Sequence, residues 1–178
     1  MGELGWELYC PSEFALSLWD TLMKAGAPHG LVPGGYKAIE SLRLEKGYRV
    51  WGSDVTSADS PFEAGLGFAV RMDKGDFIGR DALLAAGEPA RRLVGLVLDD
   101  PRAIALGSEP VRLAGHPVGR VTSGGFGYTV ERSLAYAYVP ASEAVAGQRV
   151  EVVVFGRPVG ADVMTEAFFD PTNSRVRA

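Results

Sequence analysis

Apolar positions in the first half of the chain follow two different periods. Residues 2–9 alternate, with Trp6, Leu8 and Tyr9 on a short run entered through glycines, and this predicts a strand. Ser12 is then placed as an N-cap, and Leu16, Leu18, Trp19, Leu22 and Met23 recur at helical spacing until Gly26 stops them. The pattern predicts an amphipathic helix covering a sheet. A Pro- and Gly-rich stretch from Pro28 to Gly35 leads to a second short helix, Tyr36 to Glu45, which ends at Gly47. Its expected inward face is Tyr36, Ala38, Ile39 and Leu42. Tyr48 to Val70 is loop-rich, with a second strand expected at the end of the run Glu63–Val70. Phe77 to Leu84 reads as a turn into a short helix, and Gly87-Glu88-Pro89 is the boundary candidate.

Beyond Pro89 the texture changes to short apolar runs separated by glycine turns. Leu93–Leu98, Pro110–Leu113, Pro117–Thr122, Leu134–Val139, Arg149–Phe155 and Arg157–Met164 are strand-length, and their rhythm favours a small antiparallel barrel or sandwich. Ala114-Gly115-His116, Ala146-Gly147-Gln148 and Phe155-Gly156-Arg157 have the chemistry of tight turns. The polar tail from Asp170 to Ala178 is expected to fray.

Composition narrows the class without naming an activity. A chain of 178 residues with 47% hydrophobic and 22% charged content can bury a real core. Its net charge of -4, with basic residues scattered, gives no footprint for nucleic acid. The single cysteine, Cys10, allows no internal disulfide and no multi-cysteine zinc site, and reads as a small half-buried residue near a strand end. With no apolar run long enough to span a bilayer and no signal-like N-terminus, no membrane partner and a cytoplasmic location are expected.

The motifs that invite chemistry each have a structural reading beside the functional one. Thr122-Ser123-Gly124-Gly125-Phe126-Gly127 could form an anion nest, but it lacks the lysine and following helix of a phosphate loop, and a tight barrel turn is the expected reading. His29 and His116 stand in separate turns without companions at ligand spacing, so no metal is expected. No serine, cysteine or threonine has the setting of a nucleophile. Glu7, between Trp6 and Leu8 on the expected strand, needs a hydrogen-bond partner. That partner is either a backbone N–H or an arginine such as Arg43, or a ligand with two adjacent N–H donors, as in a 2-aminopyrimidinone ring. Arg43 and Glu45 alternate with leucines, so partial burial and structural pairing are expected. Trp6, Trp51 and Phe68 could stack on a flat ring or serve as core.

Taken in order, Gly2-Glu3-Leu4-Gly5-Trp6-Glu7, Ser41-Leu42-Arg43-Leu44-Glu45-Lys46-Gly47, Trp51-Gly52-Ser53-Asp54, Pro61 to Leu66, Phe77-Ile78-Gly79, Leu93 to Leu96, Val118 to Gly124 and Ala137-Tyr138-Val139-Pro140 resemble the folate-dependent aminomethyltransferase family of the glycine-cleavage T-protein. Leu44 to Gly52 is most similar to the folate region behind the flavin domain of dimethylglycine and sarcosine dehydrogenases or oxidases. The resemblance implies an α+β chain: the remainder of a three-part folate-binding domain over residues 1–87, then a small antiparallel β-barrel domain over 88–178. It implies tetrahydrofolate as cofactor, with FAD only in a missing or separate domain. Glu7 matches the family's pterin-bonding glutamate, and Phe68 matches an aromatic position near the folate. Two family arginines at the folate site fall on Ile39 and Leu93, which speaks against a lipoyl carrier protein as donor. The family's catalytic aspartate would lie before Met1, so no catalytic residue is assigned and the isolated chain is expected to be incomplete and inactive. The implied activity is capture of a one-carbon unit as 5,10-methylenetetrahydrofolate, with folate and a flavin-containing N-terminal half as partners. The alternatives are a noncatalytic interaction module that self-associates and a folate-dependent demethylase module.

Overall fold

The short apolar runs beyond residue 90 become six antiparallel strands in a computed structural model that describes residues 1–177. They are β1 (Arg91–Leu98), β2 (Pro110–Leu113), β3 (His116–Gly127), β4 (Arg132–Pro140), β5 (Arg149–Val154) and β6 (Arg157–Met164). Their hydrogen-bonded order, β1-β4-β3-β2-β5-β6, closes on itself as a barrel. The expected α+β class with a terminal barrel is therefore observed. Two-residue turns join β2 to β3 and β5 to β6, and each puts an ordinary residue followed by glycine at positive φ, Ala114-Gly115 and Phe155-Gly156. That is the geometry that matches strand twist in a hairpin.

Burial along the strands shows which side of the barrel is covered. On β5 every second residue from Val150 to Val154 is buried, as in a strand with one wet face. On β4 every residue from Ser133 to Val139 is buried, because something packs on its outer face as well. Inside the barrel Leu96, Leu98, Val111, Val152 and Val163 meet. Outside it, Leu44, Leu93, Leu134, Tyr136 and Tyr138 form a second cluster beneath the end of a helix.

That helix is α2 (Tyr36–Lys46), which follows α1 (Ala15–Gly26) and precedes α3 (Arg80–Ala86). Its last turn is buried through Arg43, Leu44, Glu45 and Lys46. It stops at Gly47, whose φ of +78° is left-handed, with the Tyr48 N–H donating to Arg43 O. None of the described helices is long and apolar enough to cross a membrane.

Several expectations fail, most of them in the front half. Residues 2–9 form no strand, and Trp6 and Tyr9 are exposed. With no strand there, α1 has no sheet to cover, and none of its residues is buried. Tyr36, Ala38, Ile39 and Leu42 are exposed, because α2 meets the barrel through its other side, Ser41 Oγ donating to Phe126 O at 2.7 Å, and through its last turn. Cys10 is exposed rather than half-buried. The expected strand ending at Val70 is a set of turns with one 3-10 turn, Gly67–Ala69. The glycine run at 122–127 is not a turn but the continuation of β3, where a Cβ at Gly124 would lie 2.5 Å from Ala105 O. Nor does the tail fray from Asp170: Lys46 Nζ donates to that carboxylate at 2.7 Å, and Ala178 lies outside the described residues.

The contrast between barrel and front half is measurable. Leu96→Ala, at a site with no exposure, is expected to lower the unfolding free energy by about 2–5 kcal/mol in urea denaturation. Trp19→Ser on exposed α1 is expected to change it by less than about 0.5 kcal/mol.

Candidate functional site

A buried carboxylate organises the ground between α2 and the barrel. Asp54 has no exposure, and both its oxygens are filled. Oδ2 accepts from Arg43 Nη1 at 2.7 Å and from the Val50 N–H at 3.0 Å. Oδ1 accepts from Thr122 Oγ1 at 2.5 Å and Ser123 Oγ at 2.6 Å. In a regular strand Thr122 and Ser123 would point to opposite faces. Here the β3–β4 register shifts between Val121 and Ser123, and this bulge brings both hydroxyls to one carboxylate. Arg43 Nε also donates to Glu40 at 2.8 Å. Glu45 is buried separately, accepting from the Thr129 and Val130 N–H groups at 2.6 and 3.2 Å. Arg43 and Glu45 are thus both paired structurally, with different partners.

A second latch fixes the segment from Asp59 to Ala69. Arg91 on β1 donates to Asp59 at 2.7 Å and Glu63 at 3.0 Å, with its guanidinium 4.5 Å from the centre of the Tyr138 ring. The Ser60 N–H and the Arg91 guanidinium hold the Glu63 carboxyl below its ordinary value. Burial pushes the Tyr138 hydroxyl up to about 12.

Between these latches and the tail opens a cleft of about 530 Å³. The 46–55 segment contributes Arg49 and Trp51, the 66–68 turn contributes Leu66 and Phe68, and the tail contributes Ala167 and Asn173. Trp51 and Phe68 are 72% and 83% exposed, so their faces are open to a ligand rather than used in core. The cleft floor is backed by Tyr136, whose buried hydroxyl has no partner among the described residues. Burial raises that hydroxyl to about 12.

Of the residues singled out from the sequence, Phe68 and Trp51 line this cleft. Glu7 and Trp6 do not. Glu7 is exposed, and its carboxylate accepts from the Tyr9 hydroxyl two residues on; that bond raises the Tyr9 pKa. The half-buried strand setting and the Arg43 partner expected for Glu7 are both absent, since residues 2–9 pair with no strand and Arg43 is spent on Asp54. The N-terminal segment does approach the cleft rim at Glu3, which pairs with Arg175 at 3.3 Å. His29 ends the exposed 3-10 helix Ala27–His29, and His116 is the exposed first residue of β3 rather than part of the turn. Sequence reasoning missed Asp54 as the hub and Arg49 as a cleft residue. Only the position of Asp54 four residues after Val50, in a turn rich in small residues, hinted at the first.

The barrel, the carboxylate hub and the tail together hold an open, aromatic-lined cleft on the outside of a β-barrel. The GCVT N-terminal domain model matches residues 1–74, and the glycine cleavage T-protein C-terminal barrel domain model matches residues 91–170. The chain is 41% identical over 177 residues to an aminomethyltransferase of Symbiobacterium thermophilum, covering 98% of this chain and 47% of that protein. It is 40% identical to human mitochondrial dimethylglycine dehydrogenase, covering 99% of this chain and 21% of that protein. The crystal structure of the glycine cleavage system aminomethyltransferase T from Bartonella henselae superposes with a TM-score of 0.82 at 30% identity, over 90% of this chain and 45% of that one. This chain belongs to the glycine-cleavage T-protein (aminomethyltransferase) family. It spans about half the length of the aminomethyltransferases it matches, and less of the dehydrogenases.

Two outcomes test this geometry. Arg43→Met leaves Asp54 buried without its cation and is expected to cost about 3–5 kcal/mol in denaturant unfolding. The Glu63 carboxyl, followed by NMR titration, should titrate below the ordinary range of about 4.3 and move back toward it in Arg91→Met. Because its folded pKa is depressed, its contribution to stability is present above the unfolded carboxylate pKa and is lost as pH falls through the folded value.

Proposed function

We propose that this chain binds tetrahydrofolate in the Trp51–Phe68 cleft and acts as a folate-handling module of one-carbon transfer. The observation that carries the reading is the pair of open aromatic faces on a cleft of about 530 Å³ in a member of the aminomethyltransferase family. Ligand pockets of small cofactors fall in this size range and are walled by aromatics with a few placed polar groups. Phe68 and Trp51 offer stacking surfaces, and Glu7 offers a carboxylate for two adjacent N–H donors of a pterin. Glu7 sits on an exposed segment, so it meets the pterin only as that segment closes over the ligand. Held there, tetrahydrofolate would supply two nucleophilic nitrogens that could take an iminium-level carbon from a methylated amine with release of the amine, the balance of 5,10-methylenetetrahydrofolate formation.

The relatives favour an amine-derived donor, since one of them is named for dimethylglycine. A flavin-bearing partner segment and FAD belong to that larger assembly rather than to the residues described. We place the division of labour at residues 1–87 for folate handling and 88–178 for the barrel that carries it. A second reading, a self-associating module without catalysis, draws on the exposed apolar run Trp6, Leu8, Tyr9, Phe14 and Trp19.

Tetrahydrofolate titration followed by tryptophan fluorescence tests the first reading. Saturable quenching is expected, weakened by Phe68→Ala and abolished by Glu7→Gln. No saturable change, together with a concentration-dependent dimer in sedimentation, would favour the second.

A further inference from the structure

We propose that Arg49 is the carboxylate receptor of the cleft, fixing the charged end of a flat, carboxylate-bearing ligand whose ring lies against Trp51 and Phe68. This deepens the folate reading and rests on it for the identity of the natural ligand. Two cations line the cleft, Lys46 and Arg49. Lys46 is already matched, with Nζ 2.7 Å from the Asp170 carboxylate and its side chain almost fully buried. Arg49 has no carboxylate partner among the described residues. The neighbouring arginines are all paired: Arg43 with Asp54, Arg91 with Asp59 and Glu63, and Arg175 with Glu3.

What does hold Arg49 is the main chain. Nε donates to Ala64 O at 3.2 Å, and Nη1 donates to Gly47 O. The guanidinium lies 5.8 Å from the centre of the Tyr136 ring. At Gly65 a Cβ would come 2.9 Å from Nη2, so the absence of a side chain there leaves the guanidinium its room. A guanidinium has five N–H donors, and the two carbonyls use two of them. Nη2 has no acceptor among the described residues, so that edge of the fork remains available. Carbonyls fix the cation without neutralising it. A planar fork oriented in this way is suited to a bidentate carboxylate, which a lysine ammonium does not reproduce.

The test uses p-aminobenzoylglutamate, a flat ring with carboxylates and no pterin, beside the neutral ring p-aminobenzamide. Binding is read by tryptophan fluorescence and calorimetry on the full chain. The wild type is expected to bind the charged probe more tightly, with an affinity that falls as salt is added. Arg49→Met is expected to weaken the charged probe by about tenfold to a hundredfold, the range of a charge-assisted hydrogen bond, and to leave the neutral probe unchanged. Arg49→Lys retains the charge and guards against misfolding of the methionine variant; it should fall between the two. Equal binding of the charged probe by wild type and both variants, or no wild-type preference for it, overturns the assignment. Tetrahydrofolate separates the two claims. If it binds the wild type and Arg49→Met equally, the Arg49 role falls and the folate reading stands. If it fails to bind the wild type while the charged probe binds through Arg49, the folate reading falls instead.

Discussion

One buried carboxylate holds the first wall of the cleft. Asp54 carries a charge with no exposure to water, a costly placement unless each lone pair is answered. Four donors answer it, from Arg43, Val50, Thr122 and Ser123. These groups come from a helix, a turn and a barrel strand, so the hub ties three separate pieces of chain together. The bulge at Thr122 is what makes the arrangement possible, since a regular strand would turn one hydroxyl away.

The consequences run outward from that hub. Because the Val50 N–H is bound to Asp54, the residues on either side, Arg49 and Trp51, are set in place on the cleft wall. The Arg91 latch does the same for Asp59 and Glu63, at the base of the segment that leads to Phe68. The tail closes the third side through Lys46 and Asp170. None of the residues that line the cleft lies on a barrel strand; the barrel is the frame to which three irregular segments are fastened. Loops carry binding residues well when such a scaffold positions them.

How much of this could be read from the residues depended on what each pattern reports. The barrel was legible because strand period and turn chemistry are local. Its strands fall within a few residues of expectation, except that β3 runs on through glycines whose chemistry predicts a turn. Gly124 packs closely against Ala105 and Gly127 against Leu134 and Glu45, contacts that spacing does not encode. Trp6, Trp19 and Ile39 show the opposite limit: periodicity marks a side as apolar but does not say what covers it, and in the described residues nothing buries them. Arg43 and Glu45 were legible as buried and paired because charges between leucines need partners. Arg43 has one local partner, Glu40, but its buried partner Asp54 lies 11 residues away and those of Glu45 more than 80, beyond the reach of a local argument. The family resemblance matches Phe68 to an aromatic position near the folate, and Phe68 lines the cleft; Glu7 lies outside it, on a segment that makes its own local hydrogen bond.

The claim that Asp54 holds the cleft wall is tested most directly by amide hydrogen exchange on Asp54→Asn. The account expects residues 48–56, with the Val50 amide foremost, to lose protection, while the barrel amides of Leu96 and Ala135 keep theirs. Wild-type protection across 48–56 in the variant would contradict it.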